Sequence, residues 1–174
     1  SELWKTDGTN EGTEMVIDLY PGALGSGIGN LTPFGSQLVF SGNDGTSGQE
    51  LWITDGTASG TIQILDINPG NGASYPSYMT VLGDQFFFSA DDGINGIELW
   101  ISDGSNTGTQ ILKNINPGAE DAYPEGFARF NSKVYFAATD GINGYEIWET
   151  DGTELGTIML KDIFPGAEGS NPTD

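Results

Sequence analysis

The chain contains no cysteine and no histidine, and only five of its 174 residues are lysine or arginine. The missing thiol and imidazole exclude a Cys/His zinc centre, a cysteine nucleophile, a histidine general base and a disulfide framework. Against the five basic residues stand 25 Asp and Glu, giving a net charge of −20. A field of that sign repels phosphate backbones and anionic lipid, so neither nucleic acid nor membrane insertion is expected. No apolar run approaches the roughly 20 residues that cross a bilayer. Ser1-Glu2-Leu3-Trp4 lacks the basic segment and apolar stretch of a signal peptide. Zero cysteine fits the cytoplasm and a bacterial exterior equally.

Glycine is abundant, at 27 residues, which signals many tight turns. Hydrophobic residues make up 36% and aromatics 11%, too much for wholesale disorder. A chain of this length buries roughly 70% of its unfolded surface, enough for one ordinary core.

Internal repetition dominates the pattern. Glu-Leu-Trp begins at Glu2, Glu50 and Glu98, and Glu146-Ile147-Trp148 follows at the same 48-residue step. Asp7-Gly8, Asp55-Gly56, Asp103-Gly104 and Asp151-Gly152 keep that phase, as do Pro21-Gly22, Pro69-Gly70, Pro117-Gly118 and Pro165-Gly166. The chain divides into a partial repeat, 1–30, and three full repeats, 31–78, 79–126 and 127–174, joined without insertion. Within one repeat, strands are expected at 78–82, 85–90, 98–102 and 109–115, separated by Gly/Asp turns. No helical period is present.

Leu38-Val39-Phe40, Phe86-Phe87-Phe88 and Val134-Tyr135-Phe136 are apolar on both faces of a strand. A sandwich strand leaves one face wet and alternates, so these sheets need neighbours on both sides. The expected fold is therefore all-β, with tandem four-stranded antiparallel units arranged as β-propeller-like blades. A linear β-sheet stack or solenoid is the alternative.

The strings Glu2-Leu3-Trp4-Lys5-Thr6-Asp7-Gly8-Thr9 and Glu50-Leu51-Trp52-Ile53-Thr54-Asp55-Gly56-Thr57 resemble the ELWxxDGT repeat family. Ser105 and Ile147 are its departures in the later copies, and the likeness spans essentially the whole chain. The resemblance implies tandem repeats of large secreted bacterial surface proteins, and attaches no catalytic activity to the motif.

Trp4, Trp52, Trp100 and Trp148 lie in apolar strands and are expected to pack between units. A sugar-stacking platform is the functional alternative for these rings. Asp44, Asp92 and Asp140 each precede a glycine and are followed six residues on by Glu50, Glu98 or Glu146. Such a loop is a candidate calcium site, since calcium takes six to eight oxygens. The spacing departs from the EF-hand pattern, and a loop capped by its own Asp explains the same residues. Asp7, Asp55, Asp103 and Asp151 admit the same two readings. Asn30-Leu31-Thr32 is a weak glycosylation sequon. Every candidate carboxylate recurs in each unit, and Arg129 and Lys133 join no recognisable constellation, so no enzyme is expected.

Fourteen strands amount to three and a half blades, which leaves a half blade open. Open strand edges template pairing with other chains. The sequence thus reads as a non-catalytic extracellular or cell-surface repeat protein, structural or adhesive, associating with itself or with the rest of a longer chain into a fibre or array. The alternative is a binding module that holds calcium or carbohydrate on its loops.

Overall fold

The computed structural model describes residues 1–172. Among them lie fourteen strands and no helix. β1 (Leu3–Lys5) and β2 (Glu14–Ile17) form a two-stranded antiparallel sheet. Three four-stranded antiparallel sheets follow. The first contains β3 (Gly29–Phe34), β4 (Gln37–Asn43), β5 (Gln49–Thr54) and β6 (Ile62–Leu65). The second contains β7 (Ser77–Leu82), β8 (Gln85–Asp91), β9 (Ile97–Ser102) and β10 (Gln110–Lys113). The third contains β11 (Glu125–Phe130), β12 (Lys133–Thr139), β13 (Tyr145–Thr150) and β14 (Ile158–Lys161). Each sheet is a meander in chain order, so the expected tandem four-stranded units are present. They are called blades 1 to 3 below, and β1–β2 the half blade.

The turn between the first two strands of each blade fixes its register. Phe34 pairs with Gln37, Leu82 with Gln85 and Phe130 with Lys133, leaving two-residue turns. Gly35, Gly83 and Asn131 open those turns at φ of 60, 67 and 55°. Glycine and asparagine adopt that left-handed conformation at low cost, which is why these residue types stand there.

Blades pack face to face, with β7 touching both β3 and β11 along the inner edge. Val39, Leu51, Ile53 and Ile64 of blade 1 meet Phe86, Phe88 and Trp100 of blade 2. On the other face of blade 2, Phe87, Leu99, Ile101 and Leu112 meet Val134, Phe136 and Trp148. Successive side chains of a strand point to opposite faces, so Phe86 and Phe88 serve one interface and Phe87 the next. All three rings are at most 1% exposed. Each contributes about 1.5–3 kcal/mol by leaving water.

Three of the four tryptophans behave as expected. Trp52, Trp100 and Trp148 are buried, and their indole N–H groups donate to the carbonyls of Gly42, Ala90 and Ala138 at 3.0, 3.1 and 3.1 Å. Those carbonyls belong to β4, β8 and β12, the strand beside each tryptophan. Trp4 departs from the expectation: it is 58% exposed. The half blade has no counterpart of β4 among the described residues, so neither the carbonyl nor the facing ring is present.

The outer face of blade 3 also departs from the repeat. Glu149 stands where blades 1 and 2 have Ile53 and Ile101, and it is paired with Lys133. Around that ion pair, Leu160, Ile163 and Phe164 remain exposed.

Candidate functional site: the repeat loops and the inner trough

Two families of Asp-Gly loops hold themselves together. In the loop after β4, Asp44 Oδ1 accepts the N–H groups of Thr46 and Ser47 at 2.8 and 2.9 Å. Asp92 does the same for Ile94 and Asn95, and Asp140 for Ile142 and Asn143. Burial raises these three carboxyls, but the N–H donors outweigh it and hold them below the usual range. In the loop after β5, Asp55 Oδ1 accepts both the N–H and the hydroxyl of Thr57. Asp7, Asp103 and Asp151 repeat that arrangement with Thr9, Ser105 and Thr153. The second glycine of the motif follows from it, because a Cβ on Gly60 would stand 2.0 Å from Asp55 Oδ1.

The glutamate of Glu-Leu-Trp has a different task. Glu50, Glu98 and Glu146 are fully buried and point into the segment linking one blade to the next. Glu50 accepts Ile67 N–H at 2.9 Å, Ser74 N–H at 3.0 Å and the Ser74 hydroxyl at 2.6 Å. Glu98 accepts from Ile115 and Asn116, and Glu146 from Ile163, Phe164 and Ser170. The linking segment also bonds to both blades through its backbone. Ser74 N–H donates to Gln49 C=O, and Ser74 C=O accepts from Asp91 N–H, at 3.0 and 2.9 Å. Burial pushes the Glu50 and Glu98 carboxyls up to about 7, against those donors. At Glu146 burial also raises the carboxyl, but the Ser170 hydroxyl and the backbone donors prevail and set it below its ordinary value.

The structure therefore divides each candidate calcium pair between two jobs. Asp44, Asp92 and Asp140 cap their own loops, while Glu50, Glu98 and Glu146 anchor the linkers. No group of three or more acidic side chains suited to a metal gathers among the described residues. One recurrent feature remains unsatisfied: Asp66 Oδ1, Asn114 Oδ1 and Asp162 Oδ1 are buried without a hydrogen-bond partner, all at one position of the repeat. At the sequon, the Asn30 amide donates to Pro76 C=O at 3.0 Å and to Ser41 Oγ at 3.3 Å, so a glycan there would take the place of at least one of these donors. Arg129 is exposed on β11.

With the repeated carboxylates occupied by the fold, the residues that break the repeat stand out. The inner strands β3, β7 and β11 line a trough of about 750 Å³, with Met79, Phe127 and Ile147 among its walls. Each of these strands carries a bulge, at Gly29/Thr32, Ser77/Thr80 and Glu125/Ala128. The bulges hold Asn30, Tyr78 and Gly126 at φ of 55, 56 and 65°. A second left-handed position precedes each strand, filled by Gly27, Tyr75 and Tyr123, and Asn171 adopts it at the same phase of the repeat. Glycine and asparagine suit that conformation, whereas a tyrosine there is a steric outlier.

Tyr78 lines the trough, Tyr145 lines the recess adjoining it, and Tyr123 is hydrogen-bonded to Asp121. Tyr78 Oη donates to Glu125 Oε2 at 3.3 Å, and Glu125 lines a smaller recess with Tyr145, Asn171 and Pro172. Burial pushes the Tyr145 hydroxyl up to about 12, helped by Glu125, Tyr123, Asp121 and Tyr78. The Asp121 carboxylate raises Tyr123 through a hydrogen bond. Among the described residues, Glu125 is the one charged residue along the trough walls. Recurrence along the sequence does not point to this cluster. The available signal was the reverse: tyrosine at positions 75, 78, 123 and 145, where other repeats carry Gly, Asn, Gln or Ile.

Comparison with known proteins identifies the fold but no family. No family model and no curated protein matches the chain. A solved chain from a structural and mechanistic study of two prolyl endopeptidases, concerned with inter-domain dynamics in catalysis and specificity, superposes with a TM-score of 0.58 at 11% identity. The match covers 90% of this chain and 22% of that one, so this chain spans under a quarter of its length. A computationally designed protein, Ika8, is similar over 80% of this chain and 38% of its own, with a TM-score of 0.45 and 18% identity. At such identities the first likeness bears on the fold alone.

Proposed function

We propose that this chain is a non-catalytic repeat scaffold of bacterial cell-surface type, in which further strands of the same repeat complete the half blade and extend the arc into a larger array. The observation that carries this reading is the state of the two outer faces. Trp4 and Met15 on the half blade, and Leu160 and Ile163 on blade 3, are 44–58% exposed. In the interior, Trp100, Ile64 and Ile67, the equivalents of Trp4, Leu160 and Ile163, are buried between blades. The free edge of β1 adds unpaired backbone groups beside Trp4. The engagement of the repeated carboxylates by backbone donors supports a scaffold over a hydrolase, whose acid–base pair must be free to reach substrate.

Light scattering across a concentration series tests the assembly. Mass growing with concentration, and reverting when Trp4 is replaced by serine, supports it. A compact monomer at all concentrations overturns self-assembly of this chain.

The unpartnered oxygens of Asp66, Asn114 and Asp162 favour a second reading, in which each blade holds one calcium ion beside its linker. A melting temperature that rises with millimolar calcium and falls with chelator supports it. An unchanged melt removes calcium as a structural ligand.

A further inference from the structure

The trough carries a chemistry that the scaffold does not use. Its walls mix apolar and aromatic side chains with Asn30, Thr32 and Thr80, the one charged lining residue among the described residues is a carboxylate, and the chain as a whole carries −20. That combination disfavours anions and offers little to a small apolar molecule at its mouth. Tyrosine rings attract a cation by their quadrupole, and a carboxylate among them adds a full opposite charge. Three tyrosines meet that description. Tyr78 bonds to Glu125, Tyr145 lines a recess with it, and Tyr123 is held beside Asp121. Asp121 Oδ1 is fixed by the Ile97 N–H at 2.7 Å, so this acid group is positioned rather than free to swing. Within the cluster only Tyr123 recurs, as Tyr75 one unit earlier, and two of its tyrosines, Tyr78 and Tyr123, occupy left-handed backbone positions that glycine fills in another repeat. The fold does not demand tyrosine there.

We propose that the mouth of the trough, where Tyr78, Tyr123 and Tyr145 gather near Glu125, binds an organic cation: an ammonium head bearing apolar carbon, of the kind a quaternary amine or a basic side chain presents. The carbon takes the place beside Met79 and Phe127, and the charge sits among the phenol rings and Glu125. This site lies on the inner edge, away from the two outer faces, so it stands or falls independently of assembly.

Nuclear magnetic resonance of the tyrosine rings, in the full 174-residue chain, tests the site. Choline is the probe, 3,3-dimethylbutan-1-ol its neutral isostere, and methyl glucoside the carbohydrate control, all at matched ionic strength. The expected result is saturable movement of the Tyr78, Tyr123 and Tyr145 resonances with choline and none with the isostere. Glu125→Gln should weaken choline about two- to fivefold, the loss expected of one partly exposed charge interaction. Tyr123→Ser, checked for an unchanged circular dichroism spectrum, should weaken it as well. Equal response to choline and its isostere would reduce the trough to an apolar groove and overturn the proposal. Saturation by methyl glucoside alone would assign the rings to sugar stacking, and shifts spread evenly over all tyrosines would remove the site.

Discussion

Trp4 and Trp100 occupy the same position of the repeat, yet 58% of one is exposed and 6% of the other. Both are preceded by Glu-Leu and followed three residues on by Asp-Gly. The difference lies in β8, which gives Trp100 a carbonyl, a facing Phe88 ring and a sheet to complete, and which the half blade lacks. By contrast, the Asp7 and Asp55 loops are alike in their hydrogen bonds to Thr9 and Thr57, within the same tenth of an ångström. The motif thus contains two kinds of residue. Its loop residues are satisfied locally wherever the motif occurs, and its Glu and Trp gain their full effect only inside a complete blade.

Substitution at the tryptophans should separate the two regions most widely. Trp100→Ala is expected to cost about 3–5 kcal/mol through lost burial and the cavity left behind. Trp4→Ala should stay within about 1 kcal/mol, as for exposed positions. Urea midpoints measured on both variants check this, and equal losses would mean that Trp4 is covered in solution.

The glutamates should give the next largest contrast. Glu98→Ala leaves the N–H groups of Ile115 and Asn116 buried without an acceptor, at about 2–3 kcal/mol. Glu2 accepts the N–H of Leu19, the counterpart of Ile115, and that of Ser26 in a more open setting, and its alanine variant should lose less. The pH dependence has a definite sign. Glu50 and Glu98 rise from 4.5 to about 7 on folding, so their protonated forms favour the native state. That contribution is complete below pH 4.5 and is lost as pH rises through about 7. Glu98→Gln should flatten this part of the stability profile, as read by urea midpoints across the window. The loop aspartates act oppositely: their carboxyls lie below 3.8, and their contribution disappears as acid protonates them.

The smallest contrast is expected at the second glycine of the loop. A Cβ on Gly12 or Gly60 stands 2.0 Å from the Asp7 or Asp55 carboxylate. Gly12→Ala and Gly60→Ala should each cost about 1–3 kcal/mol locally, by the same clash. Hydrogen exchange at the neighbouring amides can compare them unit by unit. Unequal local losses would show that the half blade's loop is not held as the others are.

Much of the architecture was legible in the sequence because it is local or periodic. The two-residue turns, the apolar triplets at Leu38–Phe40 and Phe86–Phe88, and the Asp-Gly loops each announce their geometry in a few residues. The task of Glu50 was not legible. Its spacing from Asp44 suggested a shared ligand, but spacing does not give the direction of a side chain, and Glu50 turns toward Ile67 and Ser74, up to 24 residues ahead. Exposure of Trp4 depends on a neighbouring strand rather than on its own segment. The tyrosine cluster joins residues from β7, β13 and the segment before β11, a juxtaposition visible only once the sheets are stacked.

The linker bonds have a consequence for how such a molecule changes over generations. Ser26, Ser74 and Ala122 each bond through the backbone to the strand start behind them and to the sheet ahead, and the Ser170 hydroxyl donates to the strand start at Tyr145 C=O. Because the step is 48 residues throughout, deletion or duplication of one whole unit rejoins chemically equivalent ends. Unequal recombination between copies of the coding repeat would then yield longer or shorter chains whose joints are still made of the same bonds. The linkers thereby make copy number a quantity that can drift without a folding defect, leaving the total span of the molecule open to selection.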